Sequence, residues 1–250
     1  MTENTVEFDG QQLTRGDLLY EGKAKQVFAT NDPSIIWMHY MDQVTALNGK
    51  VKEEYSGKGE LNSSISNLLF TYLSDQGLQH HWLGSISATD ELVKKVDIIP
   101  LEVVTRNYTA GHFVSRFGVE PMQKLSPRVQ ELYYKSDELD DPFMNDSQAV
   151  SLHFVSEADL KTVYGLADQV NELLVALFNK IDITLIDYKL EFGRLADGQI
   201  ILADELSPDN MRLVDQKTGK SLDKDVFRQK QGDLRVGYQD VLQRLQDALK

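Results

Sequence analysis

The 250-residue chain contains no cysteine. Disulfides, thiolate metal sites and a cysteine nucleophile are therefore excluded, and the absence fits a reducing cytoplasmic compartment. Cations are also scarce: 26 Lys and Arg stand against 39 Asp and Glu, a net charge of −13. A broad nucleic-acid surface needs a basic excess, so nucleic acid is not an expected partner, while a local basic pocket for a small anion is allowed. No run of about 18 apolar residues occurs, so no membrane span is expected. The first ten residues, MTENTVEFDG, are too acidic and polar for a signal peptide. Internal repeats and low-complexity linkers are absent. What is present is ordinary for a globular protein: 41% hydrophobic and 9% aromatic residues, in a length that suits one large domain or two smaller ones.

The chain is organised around residues 185–210, LIDYKLEFGRLADGQIILADELSPDN. Two β-rich runs flank Asp197-Gly198, a strong two-residue hairpin signal. That turn predicts Ala196 facing Gln199 and Glu191 directly opposite Asp204. Strand alternation then puts Asp187, Lys189, Glu191 and Asp204 on one face. Ile186, Tyr188, Leu190, Phe192, Ile201 and Ala203 fall on the other, expected to be buried. Opposed like charges repel, and Mg²⁺, a hard ion held by one or two carboxylates plus phosphates, would compensate them. A solvated acidic face is the alternative, and the pattern alone does not choose.

Residues 17–30, DLLYEGKAKQVFAT, read as strand, Gly22 turn, strand, with Lys23, Lys25 and Val27 on one face. Two ammonium groups beside a glycine turn suit phosphates; a lysine-guarded edge strand explains them equally simply. The spacing matches neither a Walker A loop nor a protein-kinase glycine loop. A strand is expected at 35–41, then a mobile loop through KVKEEYSGKG (50–59). A helix carrying Ile65, Leu68, Leu69, Tyr72 and Leu73 stops at Gly77. His80 and His81 point to opposite faces of a strand and make a poor metal pair. Residues 92–106 read as two strand segments around Pro100, with Glu102 and Arg106 on a shared face. A turn then enters a short helix ending at Gly118, and its start beside Arg106 suits an anion; a Glu102–Arg106 ion pair is the competing reading. An acidic loop follows at 137–146. Ser156-Glu157-Ala158-Asp159 opens a long core helix with Leu160, Val163, Ala167, Val170, Leu174, Leu177 and Phe178 on its stripe. A turn at 207–210 leads to Arg212, residues 222–231 carry Lys224 and Arg228, and a last amphipathic helix occupies 233–250.

Four stretches together resemble the phosphoribosylaminoimidazole-succinocarboxamide synthase (SAICAR synthetase) family of purine biosynthesis. They are YEGKAKQVF (20–28), IIPLEVVTRNYTAGH (98–112), LIDYKLEFG (185–193), and DELSPDNMRL with DKDVFRQ (204–213 and 223–229). Their order and spacing fit across nearly the whole chain, and with no carboxylase-like extension the single-function form is expected. The resemblance implies an α+β fold of two domains: an N-terminal antiparallel sheet like a kinase small lobe over 1–98, and a larger C-terminal sheet with helices over 99–250, with ATP in the cleft between. It implies a cytoplasmic ligase that joins L-aspartate to carboxyaminoimidazole ribonucleotide at the expense of ATP, through an acyl phosphate, with Mg²⁺ as cofactor. A homodimer is compatible with it.

Carried over by motif, Lys23, Ala24 and Lys25 would contact the ATP phosphates, Val27 the adenine pocket, and Lys94 and Ile98 the nucleotide site. Glu191 and Asp204 would hold Mg²⁺ with the phosphates. Arg106, the Ala110-Gly111-His112 turn and Arg212 would bind the ribonucleotide, chiefly its phosphate. Asp187 and Lys189 would be the catalytic pair beside the reacting groups. Glu102, Asp141, Lys224 and Arg228 match further substrate-side positions. Two residues depart from the family pattern: His112 replaces the usual Ser, and Asn48 the usual Asp. A small-molecule kinase and a non-catalytic nucleotide-binding module are the competing functions. Aspartate-dependent ADP release separates the first from a ligase, and sensitivity to Glu191→Gln separates the second.

Overall fold

Short β-runs broken by Gly, Asp and Pro pairs give the first third of the chain a hairpin-by-hairpin path. The computed structural model describes residues 4–46 and 51–250, so Asn48 lies outside the described residues. In chain order the strands are β1 (Thr5–Phe8), β2 (Gln11–Glu21), β3 (Lys25–Thr30), β4 (Ile35–Tyr40), β5 (Gln43–Ala46) and β6 (Val51–Glu54), followed by helix α1 (Lys58–Asp75). Then come β7 (Trp82–Ser85), β8 (Asp90–Lys94), β9 (Asp97–Tyr108), α2 (Gly111–Phe117), β10 (Lys124–Tyr134), β11 (Phe143–Met144), α3 (Asp146–Ser151) and α4 (Glu157–Lys180). The chain finishes with β12 (Ile183–Arg194), β13 (Ile200–Ala203), β14 (Met211–Asp215), α5 (Asp225–Arg228) and α6 (Leu234–Ala248).

The strands form one sheet in the order β1-β2-β3-β4-β8-β7 and a second in the order β11-β10-β9-β12-β13, with β14 also on β12 and β5-β6 as a separate ribbon. Each of these pairings is antiparallel. The fold is the mixed α+β arrangement expected. β12 is the central strand of the second sheet. One edge runs along β9, while the other is shared by β14 and then β13.

Helix α4 lays Leu160, Val163, Ala167, Val170, Leu174, Leu177 and Phe178 onto that sheet, all at or below 5% exposure. A stripe at helical spacing produces this one-sided burial. Ser156 starts the helix by accepting the Asp159 N–H, as expected. Leu61, Ile65, Leu69, Phe70 and Leu73 of α1 join the same core. The first sheet keeps two small clusters of its own, Leu13-Trp37-Leu92 on one face and Met38-Tyr40-Val93 on the other.

Four local expectations are corrected. The loop of the central hairpin has three residues, not two: Leu195 N–H donates to Gln199 O (2.9 Å), and Gly198 N–H to Leu195 O (2.9 Å). Gly198 at φ 91° completes a turn followed by a bulge residue, the commonest three-residue hairpin. Glu191 is consequently opposite Ala203, not Asp204, and the one-residue slip moves Ile201 and Ala203 to the face of Glu191. Second, the register shifts between Leu185 and Asp187. Ile186 stays buried at 1%, as expected, but the shift takes it out of the main core cluster and to the border of a groove with Arg212 and Val214. Third, β9 passes through Pro100 unbroken, because the proline falls where the β9–β12 register shifts and no ladder N–H is needed. Fourth, Val51–Glu54 pairs with Gln43–Ala46 as a ribbon, and Lys58 and Gly59, assigned to the mobile loop, are buried in α1.

Candidate active site

The turn before β3 is closed by Gly22 N–H donating to Lys25 O (2.8 Å), and Ala24 O accepts the Met41 N–H (2.8 Å). Lys23 belongs to this turn, so strand alternation does not govern it and the expected shared face with Lys25 is not formed. Lys23 reaches Asp137 (2.7 Å) and Asp141 (3.9 Å), and Asp141 also accepts the Ser136 N–H (2.9 Å). Lys25 crosses to the second sheet, where it pairs with Asp204 and with Glu205 at 3.2 Å. Val27 packs on the Met38-Tyr40-Val93 cluster beside it.

Neighbouring residues of a strand point to opposite faces, yet both Asp204 and Glu205 meet Lys25. The cause is the left-handed Asp204, φ 62°, which ends β13 and swings both carboxylates to one side. His81 Nε2 donates to Asp204 O at 2.8 Å and holds this bend. His80 instead meets Ser74 Oγ at 2.6 Å, so the two histidines act separately, as expected. Burial pulls the Lys25 ammonium down, but Asp204 and Glu205 outweigh it and hold it above its usual range. Burial likewise pushes the Asp204 carboxyl up, and Lys25, Lys189 and Lys135 override it, holding it well below the carboxylate range.

Lys189 sits at the centre, 2.5 Å from Glu191, 3.1 Å from Glu102 and 3.5 Å from Asp204. Lys135 donates to both oxygens of Glu191 at 2.7 Å. Glu191 and Asp204 therefore converge without being cross-strand partners, and an ammonium already sits between them. Two hard carboxylate donors around a cation suit Mg²⁺. Among the described residues no three carboxylate or imidazole side chains gather at metal-binding distance. An ion here must draw its remaining ligands from phosphate and water, the usual habit of Mg²⁺.

At the other end of β12, Asp187 is 2% exposed and gives both oxygens to guanidinium groups. Arg106 reaches it at 2.5 Å and Arg212 at 3.0 Å. Arg106 also pairs with Glu131 (2.6 Å), and Arg212 with Asp225 (2.8 Å). The Glu102–Arg106 pair considered from sequence is not made, since each residue has another partner. Gly111 (φ 53°) lies against Arg212 so closely that a Cβ would come within 2.6 Å of the guanidinium. Only glycine lets the Ala110-Gly111-His112 backbone approach in this way. His112 is exposed. Arg228 pairs with Asp225 (2.6 Å), and Lys224 is 9% exposed beside Pro208, whose carbonyl takes its N–H (3.2 Å). Lys94 and Ile98 stand apart from these ion pairs: Lys94 Nζ donates to His80 O (3.4 Å), and Ile98 is 42% exposed opposite Gly193.

Sequence reasoning missed Lys135, Glu205, Glu131 and the Lys58–Asp209 pair. Glu205 was legible only as the neighbour of Asp204, and alternation argued against it. Lys135 carried a weak signal, a cation at the end of a strand just before an acidic loop.

The arrangement is a lysine- and acid-rich centre four residues along β12 from a two-arginine cradle, a separation of about 13 Å at about 3.3 Å per residue. Residues 18–245 match the family model described as SAICAR synthetase. The phosphoribosylaminoimidazole-succinocarboxamide synthase of Lacticaseibacillus paracasei is 55% identical over 94% of this chain and 98% of its own length. Among solved structures, the synthase of Ehrlichia chaffeensis superposes with a TM-score of 0.90 at 39% identity, covering 92% of this chain and 98% of its own. A SAICAR synthetase in complex with ADP superposes with a TM-score of 0.88 at 41% identity, covering 90% of this chain and 96% of its own. A motif set, a family match over most of the length and a shared fold all agree, and this chain belongs to the SAICAR synthetase family.

Proposed function

We propose that the chain is the ATP-dependent ligase its family is named for. It joins L-aspartate to the carboxylate of carboxyaminoimidazole ribonucleotide and releases SAICAR, ADP and phosphate in the cytoplasm. The observation that carries this reading is the division of β12: Asp187 orders two guanidinium groups at one end, and Lys189 and Glu191 face Lys25 and Asp204 at the other. The first end suits the ribonucleotide phosphate, since a planar guanidinium binds phosphate bidentately. The second suits the phosphoryl group in transfer. The domain division proposed is 1–98 for the nucleotide and 99–250 for substrate and metal.

Glu191 and Asp204 would hold Mg²⁺, which when bound neutralises phosphate charge. Lys25 and Lys23 take the phosphates; Lys25 must leave Asp204 to do so, and the phosphates then replace that carboxylate as its counter-charge. Arg106, Arg212 and the Gly111 backbone fix the ribonucleotide, with Lys189 beside the carboxylate that attacks the γ-phosphoryl. The aspartate amine then displaces phosphate from the acyl phosphate. Such chemistry is mainly positioning and charge stabilisation. With both oxygens committed to guanidinium groups, Asp187 serves this reading as the residue that orients the cradle. A coupled ADP-release assay with and without L-aspartate and the carboxylated ribonucleotide tests it. ADP release is expected only with both present, and release indifferent to aspartate would make the protein a kinase instead.

A further inference from the structure

Helix α2 lies beside both guanidinium groups of the cradle, yet none of its seven residues is buried. A helix this short is not stable by itself, and no buried apolar stripe holds it down. The segment 110–122 is pinned at its base by Thr109. The Thr109 N–H donates to Gln123 O (2.9 Å), its carbonyl takes the Met122 N–H (2.8 Å), and its hydroxyl donates to Glu120 O (2.7 Å). Toward its far end the helix is held by Arg116. There Nη1 donates to Glu131 at 3.1 Å and Nη2 to Tyr133 OH at 3.2 Å, while the guanidinium lies 4.7 Å from the centre of the Phe143 ring. Tyr133 and Phe143 are cross-strand partners on β10 and β11, so Arg116 clasps α2 to the outer edge of the second sheet.

Glu131 is also the carboxylate that holds Arg106, at 2.6 Å, and Tyr133 OH donates to it at 3.1 Å. Phe113 lies 5.8 Å from the Arg106 guanidinium; three residues before Arg116, it shares a face of the helix with it. Gly111, at the start of the same helix, is the glycine that lies against Arg212. Helix α2 therefore reaches Arg106 and Arg212 directly, and Arg106 a second time through Glu131. Charge adds a further link. Glu131, Asp187 and Asp225 are each shared by two guanidinium groups. With Arg116 counted, four guanidinium groups stand against three carboxylates, and this row carries one positive charge over for an incoming anion. Without Arg116, Glu131 would serve Arg106 alone and that surplus would be gone.

We propose that Arg116 is a positioning residue for the two-arginine cradle. By clasping α2 to Glu131 and to the Tyr133–Phe143 edge, it sets the orientation of Arg106, the approach of Gly111 to Arg212 and the surplus positive charge between them. The assignment rests on the ligase reading, in which Arg106 and Arg212 receive the ribonucleotide phosphate. Arg116 acts through Glu131 and through its own helix, not by contact with substrate. An ion pair whose cation is 32% exposed ordinarily adds little to stability. Its partner Glu131 is only 5% exposed and grips a cradle guanidinium, so the effect of Arg116 falls on geometry and charge at the site. Arginine suits the task because one planar fork spans Glu131 and Tyr133 OH while lying against Phe143; an ammonium supplies the charge without that span.

The test is steady-state kinetics of the full chain with Arg116→Gln and Arg116→Lys, each substrate varied in turn. In Arg116→Gln the KM for the ribonucleotide should rise about 10-fold, the worth of one hydrogen bond to a charged group, while the KM values for ATP and L-aspartate stay within about 2-fold. The variant should melt close to the wild type, since the pair it breaks is partly exposed. Arg116→Lys, which keeps the charge, should recover part of the loss. Glu131→Gln supplies the second readout: in that background Arg116→Gln should add little further, because the two residues act on Arg106 as one unit. A ribonucleotide KM unchanged in Arg116→Gln, or three KM values rising together with a lowered melting temperature, overturns the positioning role. So does a full Arg116→Gln effect that persists in Glu131→Gln. A wild-type protein that releases ADP without regard to aspartate would instead overturn the ligase reading.

Discussion

Buried carboxylates in this molecule divide by what stands opposite them. Glu191 faces two ammonium groups at 2.5 and 2.7 Å; replacing it with Gln removes both a proposed metal ligand and the anchor of Lys135 and Lys189. ADP release should fall roughly 100-fold or more, and turnover near the wild-type rate would refute the metal assignment. Asp187→Asn leaves Arg106 and Arg212 short of a buried counter-charge, which should destabilise the fold by about 3–5 kcal/mol, read as a lowered urea midpoint, and raise the KM for the ribonucleotide. Glu91 is the contrasting case. It is 0% exposed, Tyr40 OH donates to it at 3.1 Å, and its second oxygen has no partner. Burial pushes its carboxyl up to about 8, against the pull of Lys25, from an ordinary 4.5. Between those values the folded chain holds a proton that the unfolded chain releases, so stability falls as pH rises through the window. Glu91→Gln should therefore match the wild type near about pH 5 and melt higher near about pH 9; a melting difference that does not change with pH would contradict this. The functional residue types were legible as motifs. Their partners were not, because Lys135–Glu191 and Arg106–Asp187 join strands far apart in sequence, and no local pattern reports such a pairing.

At the scale of elements, β12 shows where reading by alternation succeeds and where it stops. Tyr188, Leu190 and Phe192 enter the core as period two requires, and the long helix after Ser156 runs as its stripe and cap predict. The register failed by one residue because Asp-Gly serves a three-residue loop as readily as a two-residue one. Ile186 is buried as expected yet misses the main core cluster, because a bulge leaves no trace in composition. The Glu191–Asp204 meeting survives the wrong register only through the left-handed bend at Asp204. Gly193 offers a direct check of how the strand seats the first sheet. A Cβ there would fall 2.3 Å from Val96 Cγ2, in the two-residue link between β8 and β9. Gly193→Ala should lower stability by about 1–3 kcal/mol, the usual cost of overpacking, and Val96→Ala in the same chain should restore much of it. Denaturant unfolding of both variants measures this, and a harmless Gly193→Ala would mean the link is looser than described.

At the scale of the whole molecule, the proposed nucleotide site is made by both sheets, since Lys25 of one meets Asp204 and Glu205 of the other. A ligand that spans them should stabilise the fold by mass action, about 2.7 kcal/mol at 100 times its Kd. Thermal melts with ATP should show this rise with Mg²⁺ present and much less of it with chelator, and a rise indifferent to the ion would count against the proposed metal pair. The mixed α+β class was readable from the order of patterns, but the partition of the core was not. Helix α1 precedes β7 and β8 of the first sheet in sequence, yet Leu61, Ile65, Leu69 and Leu73 pack with α4, β12 and the C-terminal helix α6. That placement bears on how the chain is made. A ribosome releases α1 long before α4, β12 and α6 exist, so its apolar stripe must wait, exposed, for the last residues to emerge. Synthesis of the full length, rather than of the first lobe, is then the step that commits the molecule to fold, and a nascent chain stalled near residue 98 would be a client for chaperones.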